Sequence, residues 1–313
     1  MDLTFSLAPL QGITDFTFRN LFKKHFKGVM KFYTPFIRLQ NDRTIKKSQI
    51  FDILPENNTE IHLIPQIICN NSRDFIYLAD YLNGLGYQEL NWNLGCPYPM
   101  VTNRQLGSGL IPFPDKIKEI LEEVMPQIKP GVSIKIRSGY EDENEILRLL
   151  PVLSHFSISE LIIHPRIARQ MYKGLANPIV VEKCLKLYAG NIAYNGDIKD
   201  IETFNNLEQQ FPKINHWMIG RALISNPFLV EEILLGRKID QSVKLERFLG
   251  FHSELFGIYN NQLDGPGHIL NKMRQFWEYF SLSFEESNKV YKKIKKAKTI
   301  ENYRSAVNEI LKQ

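Results

Sequence analysis

Eight short runs of β-branched and aromatic residues, each followed by a stretch with apolar residues at helical spacing, fill roughly the first 235 residues of this chain. The runs are "LTFSLAP" (3–9), "GVMKFYTPF" (28–36), "IHLIPQIIC" (61–69), "YQELNWN" (87–93), "VSIKIRS" (132–138), "SELIIHP" (159–165), "NIAYNG" (191–196) and "INHWMIG" (214–220). Helices are expected near 14–26, 72–84, 114–128, 142–155, 178–188, 199–210 and 226–235. The second connection, 37–60, is long and polar, and its helical pattern is the faintest. Strands separated by helices pair in parallel, and eight such units in strict succession suit a closed α/β structure, a (β/α)8 TIM barrel, better than an open sheet.

The pattern changes near residue 238. From 243 onward there is only helical periodicity, with Ile269, Met273, Phe276, Trp277 and Phe280 on one apolar face. Tyr291 and Ile294 mark a second face, and Tyr303, Val307 and Ile310 a third. The expected organisation is a barrel over 1–237 and a small all-α helical bundle over 238–313. Charge divides the same way. Residues 1–237 carry 26 basic and 25 acidic groups, whereas 238–313 carry 13 and 9, so the second part holds four of the five net positive charges. That asymmetry points to a polyanion partner. Its densest element is "NKVYKKIKKAK" (288–298), with six lysines around Val290, Tyr291 and Ile294.

No stretch reaches the roughly 18 apolar residues of a membrane helix, and the N-terminal "MDLTFSLAPLQG" has no cationic leader, so a cytoplasmic protein without membrane contact is expected. The three cysteines have neither metal spacing nor a paired pattern, and no metal site is expected. Cys69 and Cys184 read as small core residues. Cys96 differs, because Gly95 and Pro97 flank it at the end of a strand, where neither helps a thiol pack. The expectation is a thiol displayed at a turn.

In a barrel the active site is built at the C-terminal strand ends, and the polar residues of this chain fall there. Strand 1 ends in "APLQG", strand 3 carries Gln66, and strand 4 runs through Asn91 and Asn93 to Cys96. Lys135 and Arg137 lie two residues apart on strand 5 and share a face, with Ile134 and Ile136 on the other. Two interior cations need either a carboxylate or an anionic ligand, and none of the assigned strands offers a well-placed carboxylate. Gly196 in "YNGD" and Gly220 in "IGRA" close strands 7 and 8, where barrels hold phosphate groups by backbone N–H groups. His164 ends strand 6 at the level of Lys135.

Six motifs in order, "APLQGITDFTFR" (8–19), "NWNLGCP" (91–97), "KIRSG" (135–139), "IIHPRIARQMYKG" (162–174), "YNGDI" (194–198) and "MIGRALISNPFL" (218–229), resemble the tRNA-dihydrouridine synthase family along nearly the whole chain. The resemblance implies an FMN-dependent oxidoreductase, reduced by NADPH or NADH, that acts on tRNA and is followed by a helical tRNA-binding domain. It implies that Pro9, Leu10, Gln11, Gln66, Lys135 and His164 hold the flavin ring, with Asn195, Gly196, Asp197, Gly220 and Arg221 at its phosphate end. Cys96 matches the family's catalytic acid and Asn93 the residue that holds the target uracil. Arg137, Arg166, Arg169 and Tyr172, with Lys292, Lys293, Lys295 and Lys296, are the expected tRNA contacts. Two places depart from the family pattern: Pro35 stands where an acidic residue is usual, and the turn after the cysteine reads "YPMV" without its lysine. The stretch "NKMRQFWEYFS" looks most like the C-type subfamily, which modifies uridine 16 of the D-loop. A monomer is expected. A small-molecule flavin reductase of the dihydroorotate or dihydropyrimidine dehydrogenase kind shares the barrel and cofactor, but the basic tail disfavours it.

Overall fold

The computed structural model describes residues 3–311. Nine strands form one sheet: β1 Thr4–Leu7, β2 Val29–Tyr33, β3 His62–Ile64, β4 Gln66–Ile67, β5 Glu89–Leu94, β6 Gly131–Gly139, β7 Ile158–Ile167, β8 Ile192–Tyr194 and β9 His216–Ile219. All neighbours are parallel, in the order β3-β2-β1-β9-β8-β7-β6-β5-β4. The two edges of that sheet, β3 and β4, are consecutive in the chain with only Pro65 between them. They are one strand in two halves, the first paired with β2 and the second with β5, so the sheet closes on itself as an eight-stranded barrel. Proline causes the break, since it lacks the N–H that a continuous ladder needs. The Pro65 carbonyl still accepts from the Asn91 N–H at 2.9 Å, and the Thr34 hydroxyl takes up the Gln66 N–H at 2.9 Å.

Fourteen helices accompany the strands among the described residues: α1 Phe16–His25, α2 Lys47–Ile53, α3 Ser72–Gly84, α4 Pro99–Thr102, α5 Pro114–Val124, α6 Glu145–Leu153, α7 Pro178–Leu187, α8 Ile201–Gln210, α9 Arg221–Ser225, α10 Leu229–Leu235, α11 Gln241–Gln262, α12 Pro266–Phe280, α13 Ser287–Lys296 and α14 Ile300–Ile310. Asp15, Asn71, Asn177 and Asp200 each stop a loop and start a helix by accepting a first-turn backbone N–H. The second connection reduces to the short α2 and a single turn over Pro55–Asn57. Buried Arg19 fastens it to α1 by donating to the Asp52 carboxylate at 3.1 Å and the Asn58 amide oxygen at 3.0 Å.

Outward-facing Trp92, Ile134, Ile136, Leu161 and Ile163 are fully buried beneath the helices, as the alternation within β5–β7 requires. No described strand follows Ile219, and the chain from Gln241 onward is helical. The first and third expected apolar faces are buried in this region, with Ile269, Met273, Phe276, Trp277 and Phe280 joined by Tyr303, Val307 and Ile310, while of the second Ile294 is buried and Tyr291 half-buried. Their core is continuous with the barrel: Phe276 stacks on Phe18 of α1 at 5.5 Å between ring centroids, and Phe251 meets Phe26 at 5.0 Å.

Candidate active site

Polar side chains collect at the carboxyl ends of the strands. Gln66, Asn91 and Asn93 form a buried amide chain: the Gln66 Nε2 donates to Asn91 Oδ1 at 2.7 Å, and the Asn93 Nδ2 donates to Gln66 Oε1 at 2.6 Å. The Asn91 amide then reaches Ser133 Oγ of β6 at 3.0 Å. Asn93 also braces the cysteine turn, because its Oδ1 accepts from the Gly95 and Cys96 backbone N–H groups at 2.9 and 2.8 Å. That bracing job was not foreseen from the sequence, where Asn93 stood out as a strand-end amide and as the match to the family's uracil-holding residue.

Cys96 is not displayed as expected. Its residue is only 9% exposed and packs with Ile68 and Val101, flanked by Phe36 and Leu106. The reason lies twelve residues on. The Cys96 carbonyl accepts from the Ser108 backbone N–H at 3.1 Å and hydroxyl at 2.8 Å, which draws the Gly107–Leu110 turn over it. Gly107 makes that approach possible: its φ is +57°, and a Cβ there would fall 2.8 Å from the Cys96 carbonyl oxygen. Burial raises the thiol pKa above its ordinary value, opposed by the Tyr98 N–H and the positive charges of Arg137 and Lys135. The sulfur therefore stays a neutral S–H at pH 7 despite the pull of two positive charges.

Lys135 and Arg137 do face the barrel interior. The sequence reading missed an interior carboxylate, Glu160, but it does not serve them. Glu160 is level with Ser133, two residues towards the amino end from Lys135, and is taken by His216 Nδ1 at 2.7 Å. His216 Nε2 meets Ser6 Oγ at 2.7 Å, completing a closed polar group deep in the barrel. Arg137 is held by main-chain oxygens, its Nε donating to Gly95 at 3.0 Å and its Nη1 to Ile167 at 2.9 Å. Lys135 has no hydrogen-bonding or acidic partner among the described residues, and burial together with Arg137 pushes its ammonium down from 10.5 to about 7. An anion beside it would reverse that shift.

His164 is buried among Lys135, Arg137, Arg166 and Arg221, and burial followed by these charges holds it well below its ordinary pKa. Arg166 Nη1 lies 3.1 Å from His164 Nε2. An arginine can only donate, so Nε2 accepts, the proton of the neutral ring sits on Nδ1, and His164 retains one N–H to offer. Arg166 in turn clasps Asp197 at 2.7 and 2.8 Å, while its buried Nε has no partner among the described residues. Asp197 adopts the left-handed φ of +37° and also accepts from the Ala176 N–H at 2.8 Å. Asn195 donates to the Met218 carbonyl at 2.7 Å, tying β8 to β9.

At Gly196 a Cβ would stand 3.3 Å from both Ala176 Cβ and Pro165 Cδ, and at Gly220 it would stand 3.4 Å from Ala8 Cβ. Both glycines thus draw their loops tight against the ends of neighbouring strands. Gly220 leads into α9, and the next residue, Arg221, lies over the Tyr172 ring at 4.7 Å with Arg137 at 5.3 Å. Tyr172 is 42% exposed and neighbours Tyr98, so it forms a rim to the mouth. Arg169 points outward into an ion pair with Glu141. On α13, Lys293 is paired with Glu309 and Lys295 lies 5.4 Å from the Tyr291 ring. Lys292 and Lys296 have no ion pair among the described residues. Pro9, Leu10 and Gln11 occupy the loop after β1, whose Leu10 carbonyl accepts from the Ile13 and Thr14 N–H groups at 3.0 Å.

A family model described as dihydrouridine synthase (Dus) matches residues 6–312. The chain is 26% identical over 311 residues to the probable tRNA-dihydrouridine synthase 2 of Bacillus subtilis, covering 97% of this chain and 93% of that protein. It is 28% identical to the probable tRNA-dihydrouridine synthase of Staphylococcus epidermidis over 88% of this chain and 84% of the other. With tRNA-dihydrouridine synthase B of Pseudomonas syringae it shares 27% identity over 83% of this chain and 78% of that protein. These names carry the letter B or no letter, so the resemblance to the C-type subfamily gains nothing from them.

Proposed function

The chain belongs to the dihydrouridine synthase family, and on that premise we propose that it reduces the 5,6 double bond of a D-loop uridine in tRNA, with Cys96 as the acid that completes the reduction. The observation that carries the assignment is the register of β5 and β6, which sets Lys135, without an acidic partner among the described residues, level with the Asn93 that braces the Cys96 turn. FMN suits the residues present. Lys135 lacks a negative charge, Arg166 has an unpartnered Nε, and His164 has a spare N–H, so the site is short of acceptors in the way an anionic, carbonyl-rich ring would remedy.

When bound, FMN reduced by NADPH or NADH would supply a hydride for C6 of the uracil. Lys135, His164, Gln66, Pro9, Leu10 and Gln11 would hold the flavin ring and its side chain. Asn195, Gly196, Asp197, Gly220 and Arg221 would form the phosphate end. The negative charge that such a reduction places over C5 and the C4 carbonyl would be met by the Cys96 S–H, which would give its proton to C5 and be left as a thiolate. The raised thiol pKa keeps that proton in place at neutral pH. Asn93, fixed by Gln66 and the turn, would hold the uracil while setting the sulfur's position.

A stacked uridine cannot enter the barrel, so it must be turned out of the tRNA into the mouth. Tyr172, between Arg137 and Arg221, offers an aromatic face and positive charge where neighbouring nucleotides would lie. Arg169 would add a contact at the rim, whereas Arg166 is buried against His164 and Asp197 and does not reach it; residues 238–313, through Lys292, Lys293, Lys295 and Lys296 on α13, would grip the phosphate backbone. The test is to map dihydrouridine in tRNA from cells lacking the protein, then to restore it with wild type or with Cys96→Ala. Loss of one D-loop dihydrouridine, restored only by wild type, is expected. An unchanged tRNA would refute the assignment.

A further inference from the structure

Lys272 of α12 reaches across to the loop after β1. Its Nζ donates to the Gly12 carbonyl at 2.8 Å and to the Asp15 carboxylate at 2.8 Å. The ammonium is largely enclosed, 4.8 Å from the Tyr259 ring and 5.2 Å from the Phe276 ring. Gly12 has a φ of +78°, a left-handed conformation that turns its carbonyl to the lysine at no steric cost. The same loop is closed by Thr14, whose hydroxyl accepts from the Leu10 N–H at 2.8 Å. At its other end, Leu10 Cδ1 lies 3.7 Å from where a Cβ on Gly220 would stand. One short turn therefore touches the strand-9 loop on one side and is pinned by a helix some 260 residues away in sequence on the other.

We infer that Lys272 is a positioning residue for the flavin, through which the C-terminal helices set the shape of the Pro9–Gly12 loop. This rests on the proposal that Pro9, Leu10 and Gln11 cradle the ring. Asp15 alone would not do the same work. Its carboxylate also accepts from Tyr259 at 2.6 and 2.8 Å and caps α1, so it anchors the helix start, whereas the bond to Gly12 is the one that acts on the loop's own backbone. A bond from an ammonium to a main-chain carbonyl is charge-assisted and stronger than a neutral one, and although Gly12 is exposed it acts on the loop's backbone directly.

The test titrates FMN into full-length apoproteins and follows quenching of flavin fluorescence, with thermal unfolding measured beside it. Lys272→Met should weaken FMN binding about tenfold, and Lys272→Arg should restore most of it. Tyr259→Phe removes a bond between the same two parts of the chain without touching Gly12. It should lower the melting temperature and leave FMN affinity unchanged. Should Lys272→Met not fold, Lys272→Gln carries the same expectation. Wild-type affinity in the lysine variants, or an equal loss of affinity in Tyr259→Phe, would overturn the role assigned to Lys272. A wild-type protein that binds no FMN would instead refute the cofactor proposal on which it rests.

Discussion

Replacing Lys135 by methionine should make the apoprotein more stable and weaken its hold on FMN. The side chain stands on β6 between Asn93 and Ile162, with Arg137 two residues further on, and has no acidic partner among the described residues. Burial, then Arg137, lower its pKa from 10.5 to about 7. At about 1.4 kcal/mol per pH unit, that difference corresponds to about 5 kcal/mol against folding with the lysine charged. The residue is partly open to the mouth, so about 2–4 kcal/mol is the reasonable expectation after solvent screening.

The sign follows from proton counts. Below pH 7 the folded and unfolded chains both hold the proton, and the whole penalty is present. Between about 7 and 10.5 the unfolded chain keeps the proton that the folded one has released, so this residue makes apoprotein stability rise with pH. Urea unfolding of flavin-free protein should therefore show Lys135→Met more stable than wild type, most of all below pH 7, with the gap closing as pH rises towards 10.5. Adding FMN should narrow the gap by stabilising wild type preferentially, since a nearby anion restores the charge. A variant no more stable than wild type at pH 6 would show that the ammonium already has a partner, and would remove the physical basis for an anion there.

Cys96→Ala should keep FMN binding while lowering dihydrouridine formation on natural tRNA by about a hundredfold or more, measured in single-turnover reactions; normal turnover would end the acid role. Gly107→Ala should lose about 2 kcal/mol or more of stability, read by urea unfolding, because its φ is +57° and the new Cβ would meet the Cys96 carbonyl. Charge reversal at Lys292, Lys295 and Lys296 should weaken tRNA binding and flatten its salt dependence while NADPH oxidation persists. Lys293→Glu alone should do less, since Lys293 is already paired with Glu309. Equal tRNA affinity in the triple variant would make α13 a solvated surface only.

Strand and helix identity was legible because it is local. Alternating runs such as "VSIKIRS" report which side of a strand meets the helices, and Ile134 and Ile136 are buried there while Lys135 and Arg137 turn inward. The motif at Cys96 was legible too, as a thiol at a strand end. Its depth was not, because the cover comes from Ser108 and Gly107, whose contact with Cys96 leaves no periodic trace. Glu160 escaped for a similar reason: nothing in "SELIIHP" says that its partner is His216, 56 residues later.

The barrel, the helical tail and the line of polar residues at the strand ends could be read from short-range hydrophobic period and residue type alone. Long-range packing set how the barrel closes through the two halves of a strand broken at Pro65, left Lys135 without a counter-charge among the described residues, and brought Lys272 to Gly12. Those outcomes depend on distances between residues far apart in the chain, and a hydrophobic pattern records only which face is buried, not which side chain waits on the other side.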